Sequence, residues 1–180
     1  ADKLNVYGLY AFDPDDSDAL GAYGGFDYRL PILAPTNRLH VGYSHNLFEV
    51  GQLLRELGIK GETDIAQATY TRMLARTRLT DASLQLSLAR KDAEFEQQGA
   101  VTARDILTVG GLALQWSRIG VRSRGITQAS LAYSHGFSDL LGSLADYDSQ
   151  QGVKASRLDA GGEFDKLAAQ AQRFQRITQN

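Results

Sequence analysis

Ala82-Ser83-Leu84-Gln85-Leu86-Ser87-Leu88-Ala89-Arg90 decides the fold. Leu84, Leu86 and Leu88 alternate with Ser83, Gln85, Ser87 and Ala89. A period of two puts the leucines on one face of an extended strand and the hydroxyl and amide groups on the other. The same rhythm recurs on both sides of this stretch. Leu112, Leu114 and Trp116 oppose Ala113, Gln115 and Ser117, and Ala129, Leu131 and Tyr133 oppose Gln128, Ser130 and Ser134. Leu39, Val41 and Tyr43 oppose His40, Gly42 and Ser44, and Phe26, Tyr28 and Leu30 oppose Tyr23, Asp27 and Arg29.

These segments predict eight strands near 3–12, 20–32, 38–49, 61–74, 80–92, 105–118, 124–137 and 158–177. Most run to about ten residues or more, against about five to six in a soluble sheet. A tilted strand crossing a bilayer needs about nine to eleven. Short connections at 33–37, 75–79 and 119–123 alternate with longer ones at 13–19, 50–60, 93–104 and 138–157. Short periplasmic turns and longer extracellular loops are the habit of transmembrane barrels. The expected fold is therefore all-β, an antiparallel up-and-down transmembrane β-barrel or part of a larger one, in a single domain over 1–180. Both termini would then be periplasmic, and the acidic run from Asp13 to Asp18 would face out of the cell.

Composition agrees. The 180 residues include 18 glycines, 3 prolines, 8 tyrosines, 7 phenylalanines and 1 tryptophan, a mixture that suits a sheet better than a helical bundle. Lysine and arginine number 19 and the acids 21, for a net charge of −2, which argues against a nucleic-acid binder and a polybasic membrane anchor. Cysteine is absent, so disulfides, thiolate metal sites and cysteine nucleophiles are excluded. A mean hydropathy of −0.29 without a long apolar run excludes a transmembrane helix. The N-terminal Ala1-Asp2-Lys3-Leu4 has no signal-peptide pattern, as in a mature or excised chain and equally in a cytosolic one.

Two segments resist the strand reading. Gln52–Gly58 fits one or two helical turns inside a long loop, ended by glycine. In 163–177, Phe164, Leu167, Ala168, Ala171 and Phe174 fit a helical stripe, while Leu167, Ala169 and Ala171 also alternate with Lys166, Gln170 and Gln172. Periodicity alone leans to a helix there.

No catalytic constellation is legible, so an enzyme is not expected, and no cofactor is expected. His40 and His45 lie five apart, on opposite faces of a strand, and make a poor metal pair; isolated histidines are the expectation, with no metal site. Gly21–Gly25 and Gly110-Gly111 do not open a helix after a strand, so they ease sheet curvature rather than cradle phosphate. The acidic run lacks the glycine and distal glutamate of an EF-hand loop. Asp27 and Arg29 share a strand face two residues apart; they could pair in a barrel lumen, and a solvated charged face explains them equally well.

In a barrel, Asp27, Arg29, His40, Ser44, Gln85, Ser87, Gln115, Gln128, Ser130 and Ser134 are the candidate lumen-lining residues. Leu84, Leu86, Leu88, Leu112, Leu114 and Trp116 are the candidate lipid-facing ones. Aromatics near strand ends, Tyr10, Phe12, Tyr28, Phe48, Tyr70, Tyr133 and Phe137 among them, would form interfacial girdles. In a soluble sandwich the leucines would instead be core.

The run Tyr28-Arg29-Leu30-Pro31-Ile32 followed by Leu39-His40-Val41-Gly42-Tyr43-Ser44-His45 resembles the hemolysin secretion/activation transporters, the outer-membrane partners in two-partner secretion. Leu57–Gly61, Tyr70–Arg76, Leu84–Lys91, Gln128–Phe137 and Asp159–Leu167 with Arg173 are similar in order and spacing to their later strands and loops. The resemblance spans nearly the whole chain. It implies a location in the bacterial outer membrane, with a secreted exoprotein, outer-membrane lipid and the rest of the barrel as partners, and no nucleic acid. It also implies that 158–177 is a strand. The family's periplasmic domains and its Val-Arg-Gly-Tyr-like motif do not occur here, nor does a terminal aromatic after Ile177. The chain thus resembles the first half or middle of such a barrel. Two other functions fit the residues: a complete eight-stranded outer-membrane barrel with a structural or adhesive role, and a soluble β-barrel or sandwich binder.

Overall fold

The computed structural model describes residues 2–13, 16–49, 58–120, 124–144, 155–156 and 161–175. Eight strands follow in chain order: β1 (Lys3–Asp13), β2 (Asp16–Ile32), β3 (Ala34–Glu49), β4 (Ile59–Arg76), β5 (Thr80–Gln97), β6 (Ala100–Gly120), β7 (Gly125–Phe137) and β8 (Phe164–Gln175). They form one sheet in the order β1-β2-β3-β4-β5-β6-β7-β8, and every neighbouring pair is antiparallel. This is the all-β, up-and-down arrangement that the alternation predicts. The sheet is open among the described residues, with β1 at one edge and β8 at the other. It is a single layer, so the sandwich alternative is not the architecture.

A single layer has almost no interior. Ile106 and Leu144 are the buried hydrophobic residues among those described. By contrast Leu4, Val6, Leu86, Leu114, Leu131 and Leu167 are all exposed, Val6 to 75% and Leu167 to 71%. What holds the sheet is its ladder of cross-strand hydrogen bonds and side-chain pairs.

Two expected loops are strand instead. Residues 93–104 continue β5 and β6 to a two-residue turn at Gln98-Gly99, where φ is 52° and 77°. Positive φ at both positions is the hairpin turn that matches strand twist, and glycine adopts it without steric cost. Of residues 13–19, only 14–15 lie outside β1 and β2. Both errors have one cause. In Arg90–Gln97 one face is charged and the other mixes Lys91, Ala93, Phe95 and Gln97, so no regular hydrophobic period is left. The long connections are 50–58 and 138–163, between β3 and β4 and between β7 and β8. The proposed helical turns at 52–57 lie outside the described residues.

At the opposite end the connections are tight. Leu33, at φ 62°, is the single residue between β2 and β3. Thr77 closes the β4–β5 turn, its Oγ1 accepting from Thr80 N at 2.9 Å and Leu79 N at 3.3 Å.

The 163–177 ambiguity resolves as strand. Twelve residues of β8 pair with β7, from Gly136↔Phe164 to Gly125↔Gln175. The helical stripe of alanines loses because β7 offers a row of backbone partners and nothing offers a face for a helix to bury. The segment 158–163 of the expected strand is not part of β8, and 157–160 and 176–180 lie outside the described residues.

Beyond the end of β7 the chain turns back over β6. A 3-10 turn at Leu140–Gly142 leads to Ser143 and Leu144. Leu144 N donates to Ile106 O at 2.8 Å, and Gly162 N donates to Leu144 O at 2.9 Å. Thr108 Oγ1 donates to Leu140 O at 2.7 Å. This short return occupies the edge of β6 where β7 has ended and buries Ile106, Thr108, Ser143 and Leu144.

Candidate functional site

Register, not proximity in sequence, sorts the side chains. Residues that pair across an antiparallel ladder share a face. Leu4↔Tyr28↔Val41↔Ala68↔Leu88↔Gly110↔His135↔Asp165 runs across all eight strands on one face. On the same face, Tyr70↔Leu86↔Leu112↔Tyr133↔Leu167 crosses β4 to β8 and Leu84↔Leu114↔Leu131↔Ala169 crosses β5 to β8. All six candidate lipid-facing residues, Leu84, Leu86, Leu88, Leu112, Leu114 and Trp116, fall on this apolar face.

The opposite face is polar and small. Arg29↔His40↔Thr69↔Ser87↔Gly111↔Ser134↔Lys166 crosses it, as does Asp27↔Gly42↔Gln67↔Ala89. Gln85 pairs Ala113, Gln115 pairs Ser130, and Ser130 pairs Gln170. Asp27, Arg29, His40, Ser44, Gln85, Ser87, Gln115, Gln128, Ser130 and Ser134 all belong here. Gln115, Gln128, Ser130, Gln170 and Gln172 line a shallow recess, in which Gln172 Nε2 donates to Gln128 Oε1 at 2.5 Å. The uncharged amides and hydroxyls of this recess can both donate and accept hydrogen bonds.

Charge brackets the apolar face. On β4 Asp64 and Arg72 enclose Ala66, Ala68 and Tyr70, and on β8 Asp165 and Arg173 enclose Leu167, Ala169 and Ala171. Eight residues at about 3.4 Å each span about 27 Å, or about 21 Å of height at a 40° tilt, close to the ~25 Å apolar band of a membrane barrel. Tyr43 and Tyr133 stand at one border, their hydroxyls donating to Asp64 and Asp165. At such a border a ring can lie against apolar neighbours while its hydroxyl keeps a polar partner.

The possible Asp27–Arg29 pair is not the contact found for Asp27. Asp27 Oδ1 instead meets His40 Nε2 at 2.6 Å across the β2–β3 ladder. The histidines are not isolated either. His45 Nδ1 lies 3.0 Å from Asp64 Oδ1 and 3.8 Å from Glu62 Oε1, and His135 Nδ1 lies 2.9 Å from Asp165 Oδ1. Each partner comes from the neighbouring strand. His40 and His45 do occupy opposite faces, as expected.

These contacts contain a repeat that the sequence reading missed. Tyr43, His45, Glu62 and Asp64 on β3–β4 reappear as Tyr133 and His135 on β7, Glu163 just before β8 and Asp165 on β8. The signal is in the sequence: Tyr-Ser-His at 43–45 and 133–135, and Gly-Glu-x-Asp at 61–64 and 162–165. The unequal spacing of the two halves hides it from a search at one fixed period.

Above the apolar band, the β5–β6 hairpin carries an ion cluster. Arg104 grips Asp92 with two hydrogen bonds of 3.0 Å, Arg90 Nη2 reaches Asp92 at 3.0 Å, and Glu94 lies 3.7 Å from Arg104 Nε. The hydrogen bonds from Arg104 hold the Asp92 carboxyl below the usual carboxylate range, outweighing the opposing effect of partial burial. Arg90 Nε also donates to Leu141 O at 2.9 Å, tying the hairpin to the chain return after β7.

Comparison with protein-family models, curated proteins and solved structures finds no match.

Proposed function

We propose that this chain is a wall segment of a bacterial outer-membrane β-barrel through which a secreted partner protein passes in extended form. One observation carries the proposal: apolar and polar side chains separate onto opposite faces along the middle of β5 to β8, with no second layer over the apolar face among the described residues. An exposed leucine face of this extent needs lipid or protein against it. The face of glutamine, serine and glycine suits a water-filled passage. Eight strands closed on themselves leave an interior that side chains fill. In this proposal β1 and β8 therefore pair with further strands, and the energy for transport comes from folding of the partner outside the cell.

The native sequence has no cysteine, so single cysteines report position cleanly. Environment-sensitive probes at Leu86 and Leu114 in lipid vesicles should be quenched by a lipid-soluble quencher, and probes at Ser87 and Gln115 by a water-soluble one. In the complete transporter, a bulky adduct on a cysteine at Gln115 should arrest secretion of the partner, while the same adduct at Leu114 should not. The reverse quenching pattern, or secretion indifferent to the Gln115 adduct, would remove the proposal.

A further inference from the structure

We propose that His45, Glu62 and Asp64 form a binding site for a divalent transition-metal ion of the Zn2+ type at the charged border of the β3–β4 hairpin. The three ligand atoms, His45 Nδ1, Glu62 Oε1 and Asp64 Oδ1, lie within 4.8 Å of one another. A tetrahedral zinc with bonds of about 2.0–2.2 Å holds its ligands about 3.4 Å apart. The His45–Asp64 separation of 3.0 Å and the His45–Glu62 separation of 3.8 Å bracket that value. The two separations from His45 are thus each within about 0.4 Å of the tetrahedral value, and the two carboxylate oxygens, within 4.8 Å of each other, close on an ion by side-chain rotation.

The ladder fixes this geometry. His45 faces Asp64 directly across β3 and β4, and Glu62, two residues along β4, shares their face. The side chains are 39%, 49% and 31% exposed for His45, Glu62 and Asp64, so an ion can enter from water and keep a water ligand. One imidazole nitrogen with two carboxylate oxygens favours Zn2+, Co2+ or Ni2+ over Ca2+ and Mg2+, which take oxygen ligands in larger number or with retained waters. The Tyr43 hydroxyl donates to the same Asp64 carboxylate and orients it, as outer-shell donors do at metal centres.

The second hairpin is the internal control. It repeats the four residue types, yet among the described residues His135 is ion-paired to Asp165 and not to Glu163. It supplies two close ligands where the first supplies three, and should bind more weakly.

The test is titration of the untagged chain in detergent micelles with Co2+, read by its visible d–d absorption and by displacement with Zn2+. Saturable binding is expected, weakened by roughly tenfold or more in His45→Ala and in Asp64→Ala, and unchanged in His135→Ala. Far-UV circular dichroism of each variant checks that the strands are retained, and Glu62→Gln, which keeps the side-chain shape, gives the same reading with least disturbance. Absence of saturable binding below about 1 mM, a free energy of only about −4 kcal/mol, would overturn the proposal. So would undiminished binding in His45→Ala, or displacement of Co2+ by Ca2+ as readily as by Zn2+.

Discussion

Leu86→Arg should destabilise the chain in a phospholipid bilayer by roughly 2–4 kcal/mol, the range for a cation on the lipid face near the midplane. Ser87→Arg, one residue away, should cost roughly nothing, because a lumen-side substitution keeps its charge in water. Leu86 lies between Tyr70 on β4 and Leu112 on β6, with Leu84 and Leu88 above and below it on the same face. It is 48% exposed, so about half of its surface remains for lipid to cover. The nearest charge up the strand is Arg90, four residues away, or about 14 Å along the chain and about 10 Å in height at a 40° tilt. A new arginine can snorkel over part of that distance, which moves the expectation to the lower half of the range. A loss of about 2 kcal/mol is still a factor of about 30 in the folding equilibrium. Denaturant unfolding from vesicles, followed by the fluorescence of Trp116, the single tryptophan, measures both variants. An equal cost at the two positions, or a larger one at Ser87, would refute the assignment of faces.

Asp92→Asn should remove about 1 kcal/mol at neutral pH after allowance for solvent screening. Because the folded carboxyl titrates below its unfolded value near 3.9, the native contribution is intact above that value and fades as pH falls toward the folded pKa. The stability difference between native and variant should therefore vanish in acid; a gap that widens there would contradict the Arg104–Asp92 pairing. Gly25→Ala should cost about 1–3 kcal/mol, since its Cβ would fall 2.4 Å from the Tyr43 carbonyl oxygen and 2.9 Å from the Tyr7 hydroxyl. Gly8→Ala, whose nearest neighbour is 3.7 Å away, serves as the control, and equal costs in the two variants would count against the register. Residues 1–180 as a monomer in a planar bilayer should not give stable, large conductance steps. Each unpaired backbone group along an open edge costs several kcal/mol in hydrocarbon, and closure of eight strands leaves little lumen; large steps from a proven monomer would refute this.

The strands were legible wherever one face is apolar and the other polar. Leu84, Leu86 and Leu88 announce β5, and Leu112, Leu114 and Trp116 announce β6. Legibility fails where that contrast ends. Asp92, Glu94 and Arg104 sit in continuous ladder, but charge on both faces reads as loop. β8 is the converse case: its alanines satisfy a helical period and a strand period together, and only the partner strand decides between them. Membership of a face was readable from parity, because alternation is a local property. Partners were not, because register is set by pairing across the sheet. Asp27 meets His40 rather than Arg29 for that reason. The Tyr-His-Asp contacts likewise needed two strands to be brought side by side.

The β5–β6 hairpin ends in a two-residue turn seven positions beyond Arg90 on β5, about 24 Å along the strand. One face of its outer half carries Asp92, Glu94 and Arg104, and the other carries Ala93, Phe95 and Ala103 without the leucines of the band. Pairs can be removed from the tip, or residues added at Gln98-Gly99, without shifting any residue of the leucine band from one face to the other. Within the band, the insertion of one residue would reverse every side chain after it. The chain thus has a tolerant region joined to an intolerant one on the same two strands. An epitope placed at the tip is a natural handle for testing, in intact cells, whether this end of the sheet is accessible from outside, as the proposed membrane location requires.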